Sequence, residues 1–127
     1  MLISELAEYA ACQFRLEKLQ KDGATLRQHL QMAYTASGIM PDELANEIEM
    51  PELTAYLWRY FFELNSERSS NGMGPNRLTS TGIKDWGYLT RTSLDPWEVR
   101  AIKLLDSLWI DSVGGKNISK ISRNSYG

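Results

Sequence analysis

The residues able to do chemistry are few and poorly grouped. His29 is the sole histidine and Cys12 the sole cysteine. A zinc site needs three or four such ligands at defined spacings, so these two make none. His29 falls on the apolar face of a helical pattern with Leu26, Leu30, Ala33 and Tyr34, where a satisfied core or edge histidine is expected in preference to a catalytic base. Cys12 lies on an apolar stripe, the setting of a small core residue and not of an activated thiolate. The carboxylates Asp85, Glu98, Asp106 and Asp111 remain as candidates for paired acid–base work. Glu98 has a capping role to fill, and Asp106 and Asp111 are expected on a solvated helix face. The chain therefore reads as having no catalytic residue, no metal and no cofactor.

Residues 69–82, "SSNGMGPNRLTSTG", are the other chemical suspect, because glycine-rich loops can cradle phosphate. This one is too short, contains Pro75, follows no strand pattern and lacks a Lys-Ser/Thr at the required spacing. Gly72, Gly74 and Pro75 read instead as loop-shaping residues that turn the backbone sharply between two aromatic helices. Arg68 before the loop and Arg77 after it are placed to satisfy exposed carbonyls or the acids of a partner. A DNA-reading pair of helices over 80–112 is disfavoured, since Asp95, Glu98, Asp106 and Asp111 would meet phosphates.

These side chains must be positioned by helices. The chain has 127 residues, 43% hydrophobic and 24% charged, which fits one small folded domain. No run of about 18 apolar residues occurs, so no membrane-spanning helix is expected. The opening "MLISELAEYAACQ" carries Glu5 and Glu8 where a secretion leader would be basic. One cysteine allows no internal disulfide, and a reducing cytosol is the expected compartment. Net charge is −2, which argues against a nucleic-acid coat. Residues 114–127 hold Lys116, Lys120 and Arg123 without an acid, a charge of +3 that leaves −5 on the rest.

No sustained alternation of apolar and polar residues points to strands, so the expected fold is all-α: a small bundle of about five helices with the polar loop between the central and late ones. Residues 3–20 carry two stripes, Ile3, Leu6, Ala10 and Phe14 on one, Tyr9, Cys12, Leu16 and Leu19 on the other. Two stripes suit either a helix sandwiched by its neighbours or one shared with a second copy, with Tyr9 and Leu16 as association residues in a homo-oligomer. Helices follow over about 25–37, a short one opened by Pro41, 51–66 and 80–91. The last spans 95–112, with Asp95 as N-cap and Glu98 completing a capping box; removing the Asp95 cap should cost roughly 1 kcal/mol. The domain expected from this pattern runs over 1–113, its core over 22–113, with a flexible basic tail at 114–127.

The helix over 51–66 has Leu53, Tyr56, Leu57, Tyr60, Phe61 and Leu64 in one row and Trp58 and Phe62 in a second, so it must be covered on more than one side. Core packing accounts for any one of Trp58, Trp86, Trp97 and Trp109. So many aromatics in so small a domain also imply some exposure, and exposed aromatics favour protein interfaces. Trp58, Phe62, Trp86 and Trp97, with Arg68 and Arg77, are thus the candidate partner-binding residues.

From about residue 22 to 112 the chain resembles the tail assembly chaperones of long-tailed bacteriophages and prophages. The resemblance rests on Leu57-Trp58 with Phe62 and Leu64, Arg68 with Gly72, Gly74 and Pro75, Ile83 and Trp86, Pro96-Trp97-Glu98, and Leu105-Asp106. It implies a non-enzymatic protein in the cytoplasm of the bacterial host. Such a protein would bind helical segments of the tape-measure protein, help recruit tail-tube subunits and be absent from the finished particle. A neck or connector subunit of the particle is the rival reading, and a small DNA-binding protein a weaker one.

Overall fold

Three- and four-residue apolar spacings wind most of the chain into helix. A computed structural model describes residues 2–114, so the expected tail lies outside the described residues except for Gly114 at a helix end. Six α-helices follow in order: α1 (Leu2–Leu16), α2 (Leu26–Ser37), α3 (Asp42–Ala45), α4 (Ala55–Ser66), α5 (Ser80–Thr90) and α6 (Pro96–Gly114). A 3-10 turn, Glu52–Thr54, leads into α4. Among the described residues there is no strand. Two isolated antiparallel bridges, Leu19 with Thr25 and Ser70 with Pro75, close turns.

The helix ends follow local chemistry. α1 stops earlier than the expected residue 20 because the Leu26 N–H reaches back to the Lys18 carbonyl, and Gly23 turns the chain at φ 86°. α2 starts on a full capping box: Thr25 Oγ1 accepts from the Gln28 N–H, and the Gln28 side chain accepts from the Thr25 N–H. Gly38 ends it in the left-handed region. Pro41 sits just ahead of α3 and not inside it, leaving a single helical turn.

The core joins α1, α4, α5 and α6. Leu6, Ala10 and Phe14 meet Leu57, Phe61 and Leu64, with Ile83, Trp86, Ala101, Ile102 and Leu105 completing the cluster. Phe61 is fully buried at its centre, so truncating it to alanine should cost about 3–5 kcal/mol. Helix α1 is thus an integral wall of the core, and its Leu16 is buried as well. By contrast no residue of α2 or α3 is buried, although both fall inside the expected core. In α6, Ala101, Ile102, Leu105 and Ile110 are buried, while Leu104 is partly exposed.

Candidate functional site

An apolar hollow lies where the end of α1, the middle of α4 and the end of α6 converge. It encloses about 490 Å³ and is lined by Phe14, Leu19, Trp58, Phe62, Trp109 and Val113, with Gln13, Glu17, Lys18 and Ser112 at its polar edge. The four-residue spacing of Trp58 and Phe62 puts both on one face of α4, their rings 4.9 Å apart and edge-on. Phe14 of α1 stacks on Trp58 at 5.4 Å, and Tyr9 meets that indole edge-on at 5.0 Å. This ladder fixes the rings in orientation while leaving Phe62 41% exposed, and Leu19 and Val113 stand exposed beside it. A rigid aromatic wall with apolar edges suits the side chains of a helical or extended partner segment.

The other expected partner-binding residues are placed elsewhere. Trp86 is buried in the core against Tyr60, 5.0 Å between centroids, so no partner reaches it in this conformation. Trp97 packs half-buried against the core and does not line the groove. Arg77 is exposed and donates to Ser107 Oγ at 3.2 Å. Of the expected association residues, Tyr9 is half-buried in the ladder and Leu16 is enclosed within the protomer.

Arg68 is not a surface residue. Its side chain is 5% exposed and its Nη2 lies 2.6 Å from Asp106 Oδ1, itself 3% exposed. The two form a buried ion pair. The remaining polar atoms are well used. Arg68 Nε donates to Asn65 Oδ1 at 2.7 Å and Nη1 to the Asn76 carbonyl at 2.8 Å, while Asp106 Oδ2 accepts from the Leu78 N–H at 3.0 Å. The guanidinium also lies over the Trp109 ring, 4.3 Å from its centroid. Asp106 therefore leaves the solvated face on which it was expected, because it pins both ends of the 69–78 loop to α6. Within the loop the Asn76 N–H donates to the Ser69 carbonyl and the Asn71 N–H to that of Gly74, with Gly72 at φ 85°. A Cβ at Gly72 would touch nothing, so backbone conformation and not space calls for glycine.

The α6 cap is half of what was expected. Glu98 Oε1 accepts from the Asp95 N–H at 2.7 Å, and its Oε2 accepts a short hydrogen bond from the Tyr56 hydroxyl. Among the described residues Asp95's own carboxylate takes no hydrogen bond from the helix. Burial raises the Tyr56 phenol, and the bond donated to Glu98 raises it further. His29 pairs with Asp22 at 3.0 Å on an exposed edge, and Cys12 is half-buried. Among the described residues no group of three potential ligands lies close enough to hold a metal, and no helix is long and apolar enough to cross a membrane.

Leu19, Trp109 and Val113 are the groove residues that sequence reasoning missed. They belong to two segments, Leu19 to the turn after α1 and Trp109 and Val113 to one face of α6, and only the i, i+4 spacing of Trp58 and Phe62 signalled the surface they complete. No curated protein and no solved structure gave a significant match. Residues 33–111, more than half of the chain, match the family described as phage tail assembly chaperone, in agreement with the aromatic α4, the braced loop and the α6 start on which the resemblance rested. The chain belongs to the phage tail assembly chaperone family.

Proposed function

We propose that the chain acts without catalysis, in the host cytoplasm, by covering an apolar helical segment of the tape-measure protein with the Phe14–Trp58–Phe62 groove and helping to bring tail-tube subunits to it. The observation that carries this reading is the groove itself. It is apolar and open, and its rings are held by one another, so little order is lost when a segment docks. Family membership supports the assembly role, and the groove supplies the contact chemistry.

The test is co-purification of the tape-measure protein with the full chain and with Phe62→Ser, a change at a partly exposed ring that leaves the core intact. Capture by the native chain and its loss with Phe62→Ser is the expected pair of results. Equal capture by both would remove the groove from the reading. Mass spectrometry of purified particles is expected to lack the chain; finding it there in fixed copy number would make it a neck or connector subunit instead.

A further inference from the structure

The loop between α4 and α5 lines no part of the groove, yet much polar structure holds it. At its base the Arg68–Asp106 pair is buried, with Arg68 donating to the Asn76 carbonyl and Asp106 accepting from the Leu78 N–H. Asn76 donates twice to Ser69, from its N–H to the carbonyl and from its side-chain amide to the hydroxyl, each at 2.9 Å. Above them Ser70 bridges Pro75, the Asn71 N–H donates to the Gly74 carbonyl, and the Met73 N–H donates to Asn71 Oδ1 at 2.9 Å. The result is a tight hairpin with Met73 at its tip, between Gly72 at φ 85° and Gly74 at φ 152°.

Met73 is 97% exposed, more than any other large apolar residue among those described. A lone exposed apolar side chain on a loose loop calls for no account. This one stands on a frame founded on a buried ion pair, and apolar replacements for such a pair commonly leave stability equal or higher. Stability alone therefore does not call for the pair; what it supplies is a fixed position for the hairpin. A fixed position matters to an exposed side chain only where something meets it. Residues 69–76 carry no charge, and the flanking Glu67 and Arg77 are of opposite sign, so the tip offers shape and hydrogen bonds without a strong field.

We propose that this hairpin is a second contact surface, a rigid knob whose Met73 side chain enters an apolar socket on a folded protein. A knob and a groove select different partners. The groove accepts a linear apolar segment, which has side chains to insert but no cavity of its own. A projecting tip needs a cavity already built, and such sockets are features of folded surfaces. Of the two partners named above, the tail-tube subunit is the one that can present a socket, and to this extent the inference rests on the proposed function. The preorganised hairpin keeps the ordering cost of docking low, and the unbranched methionine side chain adapts to the socket. With no charge at the tip, the contact is insensitive to salt.

The test labels the methionine methyl groups of the full chain with carbon-13 and titrates it with purified tail-tube subunit. Of the five methionines, Met73 alone is expected to shift strongly and to lose access to a soluble paramagnetic probe, at low and high salt alike. Met73→Ser is expected to weaken binding by about tenfold or more, and Met73→Leu to hold it within about threefold. Gly72→Ala, which strains the turn but keeps Met73, is expected to weaken it several-fold. These variants leave in place Arg68, which also backs Trp109 of the groove. All three are expected to keep helical circular dichroism and to capture the tape-measure protein as the native chain does. Native-like tube binding by Met73→Ser, a response centred on another methionine, or a Met73 signal that follows the chain's own concentration would each overturn the proposal. So would a native chain that binds no tube subunit, and the groove would then stand or fall on tape-measure capture and Phe62→Ser alone.

Discussion

Arg68 and Arg27 each gather several polar groups from distant parts of the chain, but in opposite surroundings. Arg68 joins the loop to α6 within the aromatic core, paired with Asp106 out of contact with water. Arg27 of α2 lies at the surface, 23% exposed, where its guanidinium meets Glu17 at 2.6 Å and Glu47 at 2.7 Å, and Gln13 joins Glu47 from α1. The first hub reinforces packing that already exists. The second joins elements whose packing is thin, because no residue of α2 or α3 is buried. A twelve-residue helix is marginal without tertiary support, so this arm should open far below the global unfolding free energy. The core half holds the aromatic groove rigid, while the arm leaves Ile39 and Met40 exposed between its two helices.

The largest effect should come from the buried pair. Asp106→Ala leaves the Arg68 charge buried and unpaired and frees the Leu78 N–H, so a loss of about 3–5 kcal/mol is expected in denaturant titration. Replacing both members, as Arg68→Met with Asp106→Leu, should cost far less than the two single losses together, because no orphan charge remains. A strictly additive result would mean that Arg68 acts through Trp109, Asn65 and Asn76 alone. Arg27→Ala should behave differently, lowering global stability by about 1 kcal/mol while abolishing hydrogen-exchange protection across α2 and α3. If protection there survives, the arm is held by more than its ionic contacts.

Acid should separate the two regions next. The bonds donated by Arg27 and then Gln13 hold the Glu47 carboxyl down to about 2, from an ordinary value of 4.5. A depressed folded value stabilises the native state above the unfolded one and is lost as protons bind, so this contribution is complete above about pH 5 and disappears as pH falls toward 2. Its size is on the order of 1–2 kcal/mol after allowing for the partial exposure of the pair. Exchange measured between pH 5 and pH 3 is therefore expected to show α2 loosening before α4 and α6, and Glu47→Gln should remove much of that difference. Simultaneous loss in all helices would contradict the contrast drawn between the hubs.

The helices and the all-α class were legible because 3.6-residue periodicity is a local property. Leu6, Ala10 and Phe14, or Leu57, Phe61 and Leu64, declare an inward face wherever they occur. Periodicity does not say what covers a face. The Leu26, Leu30 and Tyr34 pattern looks like a core stripe, yet α2 lies outside the core, and the stripes of residues 3–20 look like surplus, yet α1 is a core wall. Charge is equally local in sequence and non-local in effect. Asp106 reads as solvated because its partner, Arg68, is 38 positions away and comes within reach only after the loop turns. The candidate site was visible through Trp58 and Phe62, which share a face of α4, and invisible through Leu19 and the Trp109–Val113 face of α6, which reach that surface only in the fold.

The smallest predicted effect concerns how the two regions start their helices. Thr25 caps α2 with both halves of a capping box, and the helix has no buried residue to compensate for losing it. Thr25→Ala should therefore cost the arm about 1 kcal/mol, seen as fraying of α2 in amide exchange with little shift in the global transition. At α6 the capping sequence looks stronger, Asp95-Pro96 with Glu98 three residues on, and a full cap would make Asp95→Ala cost the same. Here, however, the bond to the Asp95 N–H comes from Glu98, which needs only the backbone at position 95, and the Asp95 carboxylate makes no bond to the helix. What remains is its favourable interaction with the helix dipole, a few tenths of a kcal/mol at an exposed site. Asp95→Ala should thus lower stability by less than about 0.5 kcal/mol, while Glu98→Ala, which also strands the Tyr56 hydroxyl, should cost about 1–3 kcal/mol. Equal losses from the two changes would place the cap on Asp95 after all, and would make α6 begin as α2 does.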